Sequence, residues 1–554
     1  MGKSTKKNEV VSFVFRQADS IGAADAAEDQ YLADCFIETG AFRALKDLAD
    51  PKRLLLGRTG SGKTAIFSYL EKNSEEKVIE VKAESLSLAH LSNSTILRFL
   101  RSIDVKLDLF FRFLWRHVLT VEILKRALGV ETGVRRNPVD RLRDRFRGEK
   151  TKKAIDYLVR WGGERFWEET DVRIKEITTK FEKDIKASLT GDLSAKLFKG
   201  GIGGSVNSNF SQEEKREIQE RAQTVVNQVQ MRELSEVIDL VSDVLEKENK
   251  SYYILVDRLD ENWVDDGVRY HLIRALIDTS RDFQRVRDCK IIIALRQDLL
   301  EHVLEVTRGA GGQEEKILSN ILEIKWNREL LVDLLDKRVN ALIKRRYTNG
   351  NVKFCDVMVR VDRLDATSYI LDRTLNRPRD AINFLNLCIA KSEGDPRISA
   401  RAIKRAEEQY SRERLTALLE EWHTNFPTLG EWVRVLHGQY AQFSVPELSR
   451  EKFDAILLRI VESQGEDNLS LDERMLYRNN IKHDEFVSRM LVNFYKVGIV
   501  GLKLDAGESV QWVTLGGRRV EPEEIREDTR VHVHKMVWRA LKVNEQQRTA
   551  SVSG

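Results

Sequence analysis

Eight residues, Gly57-Arg58-Thr59-Gly60-Ser61-Gly62-Lys63-Thr64, follow the apolar run Arg53-Leu54-Leu55-Leu56 and lead into Ala65-Ile66-Phe67-Ser68-Tyr69-Leu70. A buried run, a glycine-rich loop and a helix-compatible run in that order predict strand, loop and helix. The loop has the spacing G-x-x-x-x-G-K-[ST]. Its glycines let successive backbone N–H groups turn inward around phosphates, Lys63 reaches toward β- and γ-oxygens, and the Thr64 hydroxyl suits Mg²⁺. Gly57, Arg58, Thr59, Gly60, Ser61, Gly62, Lys63 and Thr64 are therefore the candidate phosphate-binding residues, with ATP and Mg²⁺ the expected ligands.

Such a loop needs a second, acidic strand. Tyr252-Tyr253-Ile254-Leu255-Val256-Asp257 is a β-branched and aromatic run ending in a carboxylate, which makes Asp257 the candidate partner of Thr64 at the metal. Just beyond, Asp260 and Glu261 offer a carboxylate to orient or deprotonate the attacking water, Glu261 being preferred. The competing reading makes one of them the cap of a helix starting near Val264. Lys290 to Leu295 is a third buried strand, and Arg296 at its end either senses developing phosphate charge or pairs with a nearby acid. A fourth strand, Ile321 to Trp326, follows the stretch Thr307-Arg308-Gly309-Ala310-Gly311-Gly312. Arg308 there is either an arginine finger acting on a neighbouring subunit or a solvated loop residue.

These residues resemble P-loop ATPases of the AAA+/STAND superclass, most closely a bacterial group found near phage-defence genes. The resemblance rests on Gly57 to Thr64, on Val256-Asp257-Arg258-Leu259-Asp260-Glu261-Asn262-Trp263, on Arg296 and on Leu375-Asn376-Arg377-Pro378-Arg379-Asp380-Ala381-Ile382. The last segment is similar to the sensor 2 segment of a helical lid, and the resemblance implies that Arg377 or Arg379 contacts nucleotide phosphates. Two departures stand out. Asp257 is followed by Arg258 rather than a second acid, and 193 positions separate Thr64 from Asp257, more than a minimal core needs.

The expected organisation is an α/β P-loop NTPase core of parallel sheet flanked by helices, with a large helical insertion, a helical lid and a C-terminal winged-helix-like domain. The boundaries are 1–94 and 251–328 for the core, 95–250 for the insertion, 329–415 for the lid and 416–554 for the last domain. At roughly 100–200 residues per domain, 554 residues accommodate this. Residues 30–50 read as one helix ahead of the first strand, and Lys77 to Ala83 as another strand. The aromatic stretch from Phe99 to Trp115 reads as buried packing. The tract from Lys199 to Ser205 reads as a turn between long amphipathic helices. In the last domain, a helix over Glu485 to Tyr495, a strand over Val497 to Leu502, a turn at Asp505-Ala506-Gly507 and a strand over Val510 to Leu515 make a winged-helix pattern.

With 92 basic and 88 acidic residues, the net charge of +4 argues for no polyanion by itself. Between 135 and 153, however, nine basic residues face three acids, so that stretch either attracts DNA phosphates or is a solvated helix face. The C-terminal domain likewise either docks a protein or grips DNA. Four scattered cysteines suggest neither a disulfide framework nor a zinc site, and no apolar run approaches a membrane span. A cytoplasmic protein with no membrane partner is expected. The resemblance implies an ATP-hydrolysing switch in antiviral defence, homo-oligomeric or working with a separate effector. The alternative is a DNA-acting loader or motor in replication or repair.

Overall fold

A computed structural model describes residues 13–74, 77–82, 91, 94–127, 170–199, 210–228, 231–261, 263–308, 314–347 and 351–545. The basic stretch 135–153, the glycines Gly200 to Gly204, Asn262 and the glycines beyond Arg308 lie outside the described residues. The chain divides into two compact units. One comprises Glu38–Arg58 and Lys63–Lys325; the other comprises Met1–Ile37, Thr59–Gly62 and Trp326–Gly554.

The first unit is built on a five-stranded sheet: β1 (Leu54–Leu56), β2 (Lys77–Lys82), β3 (Tyr252–Asp257), β4 (Cys289–Leu295) and β5 (Ile321–Glu323). Every pairing is parallel, in the order β2-β3-β4-β1-β5. The three inner strands are buried along their whole length, as a sheet covered on both faces requires, whereas β2 and β5 at the edges alternate with exposed residues. Because all strands run the same way, the ends of β1, β3 and β4 share one edge, and that edge carries Gly57, Asp257 and Arg296.

The helices expected as an insertion, among them Thr95–Ser102, Asp108–Ala127, Thr170–Ser188, Gln212–Gln228 and Met231–Glu248, share one buried core with the sheet. The aromatic stretch is core, as its composition suggested: Phe110 stacks on Phe181 with ring centroids 4.0 Å apart, and the Trp115 indole N–H donates to the Leu272 carbonyl at 2.8 Å. The single helix expected over 30–50 is instead two short ones, Leu32–Cys35 and Gly40–Lys46. Phe36 is extended, and the Thr39 hydroxyl accepts from the Phe42 N–H at 3.2 Å, so a new helix begins there.

The second unit is mainly helical, with Arg328–Arg346, Pro378–Ala390 and Ala400–Glu421, then Arg450–Gln464, Leu471–Tyr477 and His483–Val497. A small antiparallel sheet joins β6 (Gln442–Ser444), β7 (Val500–Lys503) and β8 (Arg530–Val533) in the order β6-β8-β7. The strand expected over 510–515 does not form. Only Gln511 bridges to Leu502, and Val513–Leu515 is a 3₁₀ turn. The Trp512 ring sits 2.5 Å from where a Cβ on Gly501 would lie, so the segment packs across β7 instead of extending along it.

Within the first unit, two strand side chains close the end of helix Gly40–Lys46. Fully buried Lys290 donates to the carbonyls of Ala44 at 2.8 Å and Asp47 at 2.5 Å, and the Tyr253 hydroxyl donates to Lys46 at 2.5 Å. Burial pulls the Lys290 ammonium down to about 8, Arg53 adding to the shift against Asp50 and Asp47. Lys290→Met is expected to lose about 1–3 kcal/mol, because two carbonyls lose their donor. Folded Lys290 releases its proton near pH 8 and the unfolded side chain near about 10.4. Between those values the unfolded chain binds more protons, so wild-type stability gains with pH. Urea titrations should therefore show the deficit of Lys290→Met widening from pH 8 to 10; a narrowing deficit contradicts this role.

Candidate functional site

The flanks of the glycine-rich loop are held by the sheet edge. The Gly57 N–H donates to the Leu295 carbonyl at 3.2 Å, and Lys63 opens the helix Lys63–Asn73. The Lys63 ammonium donates to the carbonyls of Gly57 at 2.8 Å and Arg58 at 3.2 Å. One position on, the Thr64 hydroxyl donates to Asp257 Oδ2 at 3.2 Å, although β4 lies between β1, which leads into the loop, and β3, which ends in Asp257. Asp257 is 8% exposed. Burial pushes its carboxyl above the usual range, opposed by the Arg258 N–H, the Lys63 charge and the Thr64 hydroxyl. Arg258, the departure from an acidic pair, adopts φ +59° and donates its N–H to Asp257 Oδ1 at 2.9 Å. The chain thus turns sharply off β3, which carries the next acids away from the strand axis.

The loop tip, Thr59–Gly62, groups with the second unit. Three consecutive carbonyls accept donors there: Thr59 from Arg377 Nη1 at 3.1 Å, Gly60 from the Arg379 N–H at 3.4 Å, and Ser61 from the Trp326 indole at 2.8 Å. The backbone N–H groups of Thr59, Gly60, Ser61 and Gly62 make no hydrogen bond among the described residues. Gly60 and Gly62 have φ of +77° and +100°. The hydroxyls of Thr59 and Ser61 are buried with no hydrogen-bond partner among the described residues. Such a row of unsatisfied donors has the chemistry that an anion cradle needs. The sequence places Trp326 only at the end of an expected strand. Its one available signal is that a buried indole N–H seeks an acceptor.

The other candidates separate. The helix after β3 is Asp266–Asp282, capped by Asp265 through the Gly267 N–H at 3.0 Å, so neither Asp260 nor Glu261 is its cap. The Glu261 carboxylate lies 3.8 Å from Arg258, and that of Asp260 3.5 Å from Arg296; both remain part-exposed. Arg296 grips Asp298 with two bonds, Nε to Oδ1 at 3.0 Å and Nη2 to Oδ2 at 2.6 Å. The acid-pairing alternative therefore describes its geometry. Arg308 is exposed just beyond helix Gln297–Val306.

The two arginines flanking Pro378 also differ. Arg377 is the N-cap residue, Pro378 opening the helix, and its Nη1 also binds Glu421 at 2.9 Å. Arg377 is 2% exposed, in a buried group with Asp380, Arg414 and Glu421. The Arg379 guanidinium is half-exposed and makes no hydrogen bond or ion pair among the described residues. Its aliphatic stem packs on the loop: a Cβ on Gly60 would stand 2.8 Å from Arg379 Cβ.

These residues fit a nucleoside triphosphate with Mg²⁺. Orphaned N–H groups and hydroxyls suit phosphate oxygens, and a hydroxyl–carboxylate pair suits a hard cation that keeps most of its water. Among the described residues no group of three or more His, Cys, Asp or Glu forms an all-protein metal cage.

Residues 329–419, which include both arginines, match the family model described as the FunZ-associated C-terminal helical domain. Over 541 residues, 95% of this chain and 68% of the relative, the sequence is 21% identical to a protein of Escherichia coli (strain K12) described as "Putative transposon gamma-delta 80.3 kDa protein".

Gly60→Ala should destabilise the chain by about 1–3 kcal/mol, since alanine disfavours positive φ and its Cβ meets Arg379. Trp326→Phe removes one hydrogen bond and should cost about 1 kcal/mol. Thermal unfolding checks both; a neutral Gly60→Ala contradicts the close approach.

Proposed function

We propose that this protein is an ATP-binding and ATP-hydrolysing P-loop protein of the AAA+/STAND kind. The observation that carries the reading is the Thr64–Asp257 pair beside Lys63, on a loop whose tip has four unpartnered N–H groups. In this reading the N–H groups of Thr59 to Gly62 bind phosphate oxygens. Lys63 exchanges its bonds to the Gly57 and Arg58 carbonyls for β- and γ-oxygens. Thr64 and Asp257 hold Mg²⁺, which when bound neutralises charge on the phosphates. Glu261, or else Asp260, orients the attacking water and takes its proton. Arg379 offers its guanidinium to phosphate, while Arg377 positions the loop through the Thr59 carbonyl. Arg296 orders Asp260 and Asp298, and Arg308 is left for action on a neighbouring copy in a homo-oligomer.

The biological setting rests on the resemblance: an assembly or regulatory switch in bacterial antiviral defence, acting with a separate effector. A DNA-acting loader or motor is the second reading, favoured by the transposon named in the relative's description.

Wild type should hydrolyse ATP in a Mg²⁺-dependent way. Lys63→Ala and Asp257→Asn should abolish turnover, and Glu261→Gln should slow it about 10²–10⁴-fold while nucleotide still binds. Phosphate release and equilibrium ATP binding measure the two effects. Turnover indifferent to all three substitutions contradicts the assignment. Acceleration by duplex DNA would favour the loader or motor, and ATP-dependent growth in mass with DNA-indifferent turnover the switch.

A further inference from the structure

Away from the loop, two segments of the helical unit meet: 358–364, and 397–405 at the start of helix Ala400–Glu421. Ile398 joins them, donating its N–H to the Val357 carbonyl at 2.7 Å and accepting from the Val359 N–H at 3.2 Å. Lys404 then binds Asp362 at 2.7 Å. The junction gathers Arg360, Arg363, Arg397, Arg401, Lys404 and Arg405, all exposed. Six cations against one carboxylate, Asp362, make a net +5 in sixteen residues, where the whole chain carries +4.

Many surface arginines elsewhere on this unit are ion-paired. Arg434 meets Glu431, Arg478 meets Glu466, Arg519 meets Glu521 and Arg530 meets Glu447, at 2.6–3.7 Å. The five arginines of the junction make no ion pair among the described residues. Neighbouring carboxylates are engaged elsewhere, Glu408 with Arg412 and Asp365 with the Ser368 N–H, although Glu393 and Asp395 stand just before the second segment. The turn that presents Arg363 is strained. Val361 and Leu364 exchange both backbone bonds, at 3.0 and 2.9 Å, around Asp362 at φ +47° and Arg363 at φ +71°. Glycine or asparagine would fit that two-residue turn more cheaply. The positive end of a 22-residue helix dipole adds to the same field.

We infer that this face binds the phosphate backbone of duplex DNA. Unpaired arginines drawn from two segments suit phosphates, and the binding they give is salt-dependent and indifferent to base sequence. Neither segment contains an aromatic residue, whereas single-strand binders stack bases on aromatic side chains. The inference is independent of ATP hydrolysis, because none of these residues belongs to the phosphate loop or its partners.

The test is fluorescence anisotropy with a labelled duplex of arbitrary sequence, at several salt concentrations, on the full chain. The fourfold variant Arg360→Ser, Arg363→Ser, Arg401→Ser, Arg405→Ser should bind at least about tenfold more weakly, with a shallower dependence of affinity on salt. The matching fourfold change to lysine should restore most of the binding, since charge is kept. Melting temperature and ATP turnover of the serine variant should stay at wild-type values, separating loss of the face from misfolding. Lys63→Ala should bind the duplex like wild type, so that failure of the ATPase assignment is distinguishable from failure here. Undiminished duplex binding by the serine variant overturns the inference, as does a wild-type preference for single strands or no duplex binding at moderate salt.

Discussion

A peptide unit that turns its carbonyl toward one partner turns its N–H the other way. In the tip of the glycine-rich loop this happens three times in succession, with Thr59, Gly60 and Ser61 giving their carbonyls to Arg377, Arg379 and Trp326. The donors left over are the N–H groups that a phosphate would need. Glycine is required at position 60 for two separate reasons, a φ of +77° and the stem of Arg379 where a Cβ would go. Cradle and helical unit are thus one packed structure, and the residues holding the loop come from hundreds of positions downstream.

The sheet edge carries a second set of chemical groups. Parallel pairing in register carries Leu56, Leu295 and Asp257 to strand ends on the same side. That arrangement lets the Thr64 hydroxyl reach Asp257 across an intervening strand. Burial makes the carboxylate a costly charge in isolation, and the Arg258 N–H, the Lys63 ammonium and the Thr64 hydroxyl offset part of that cost. A divalent cation held there would lower the cost further.

What could be read from the amino-acid order followed the strength of local signals. The apolar runs of β1, β3 and β4 announced a buried parallel sheet, and the G-x-x-x-x-G-K-T spacing announced the loop, because both depend on residues adjacent in sequence. The break between Leu32–Cys35 and Gly40–Lys46 was hidden because the apolar residues keep a helical spacing straight through it. The strand expected over 510–515 failed because Trp512 packs on Gly501, a tertiary contact that β-propensity does not encode. The different surroundings of Arg377 and Arg379 were not legible, because Glu421, the partner of Arg377, lies 44 positions away. Trp326 carried almost no local signal, since an indole at a strand end is more often simple packing.

Amide hydrogen exchange across residues 57–64, with and without Mg²⁺–ATP, tests most directly whether the loop N–H groups cradle phosphate. The amides of Thr59, Gly60, Ser61 and Gly62, which make no hydrogen bond among the described residues, should become strongly protected when nucleotide is added. Exchange at those four amides that is unchanged by saturating Mg²⁺–ATP would contradict it.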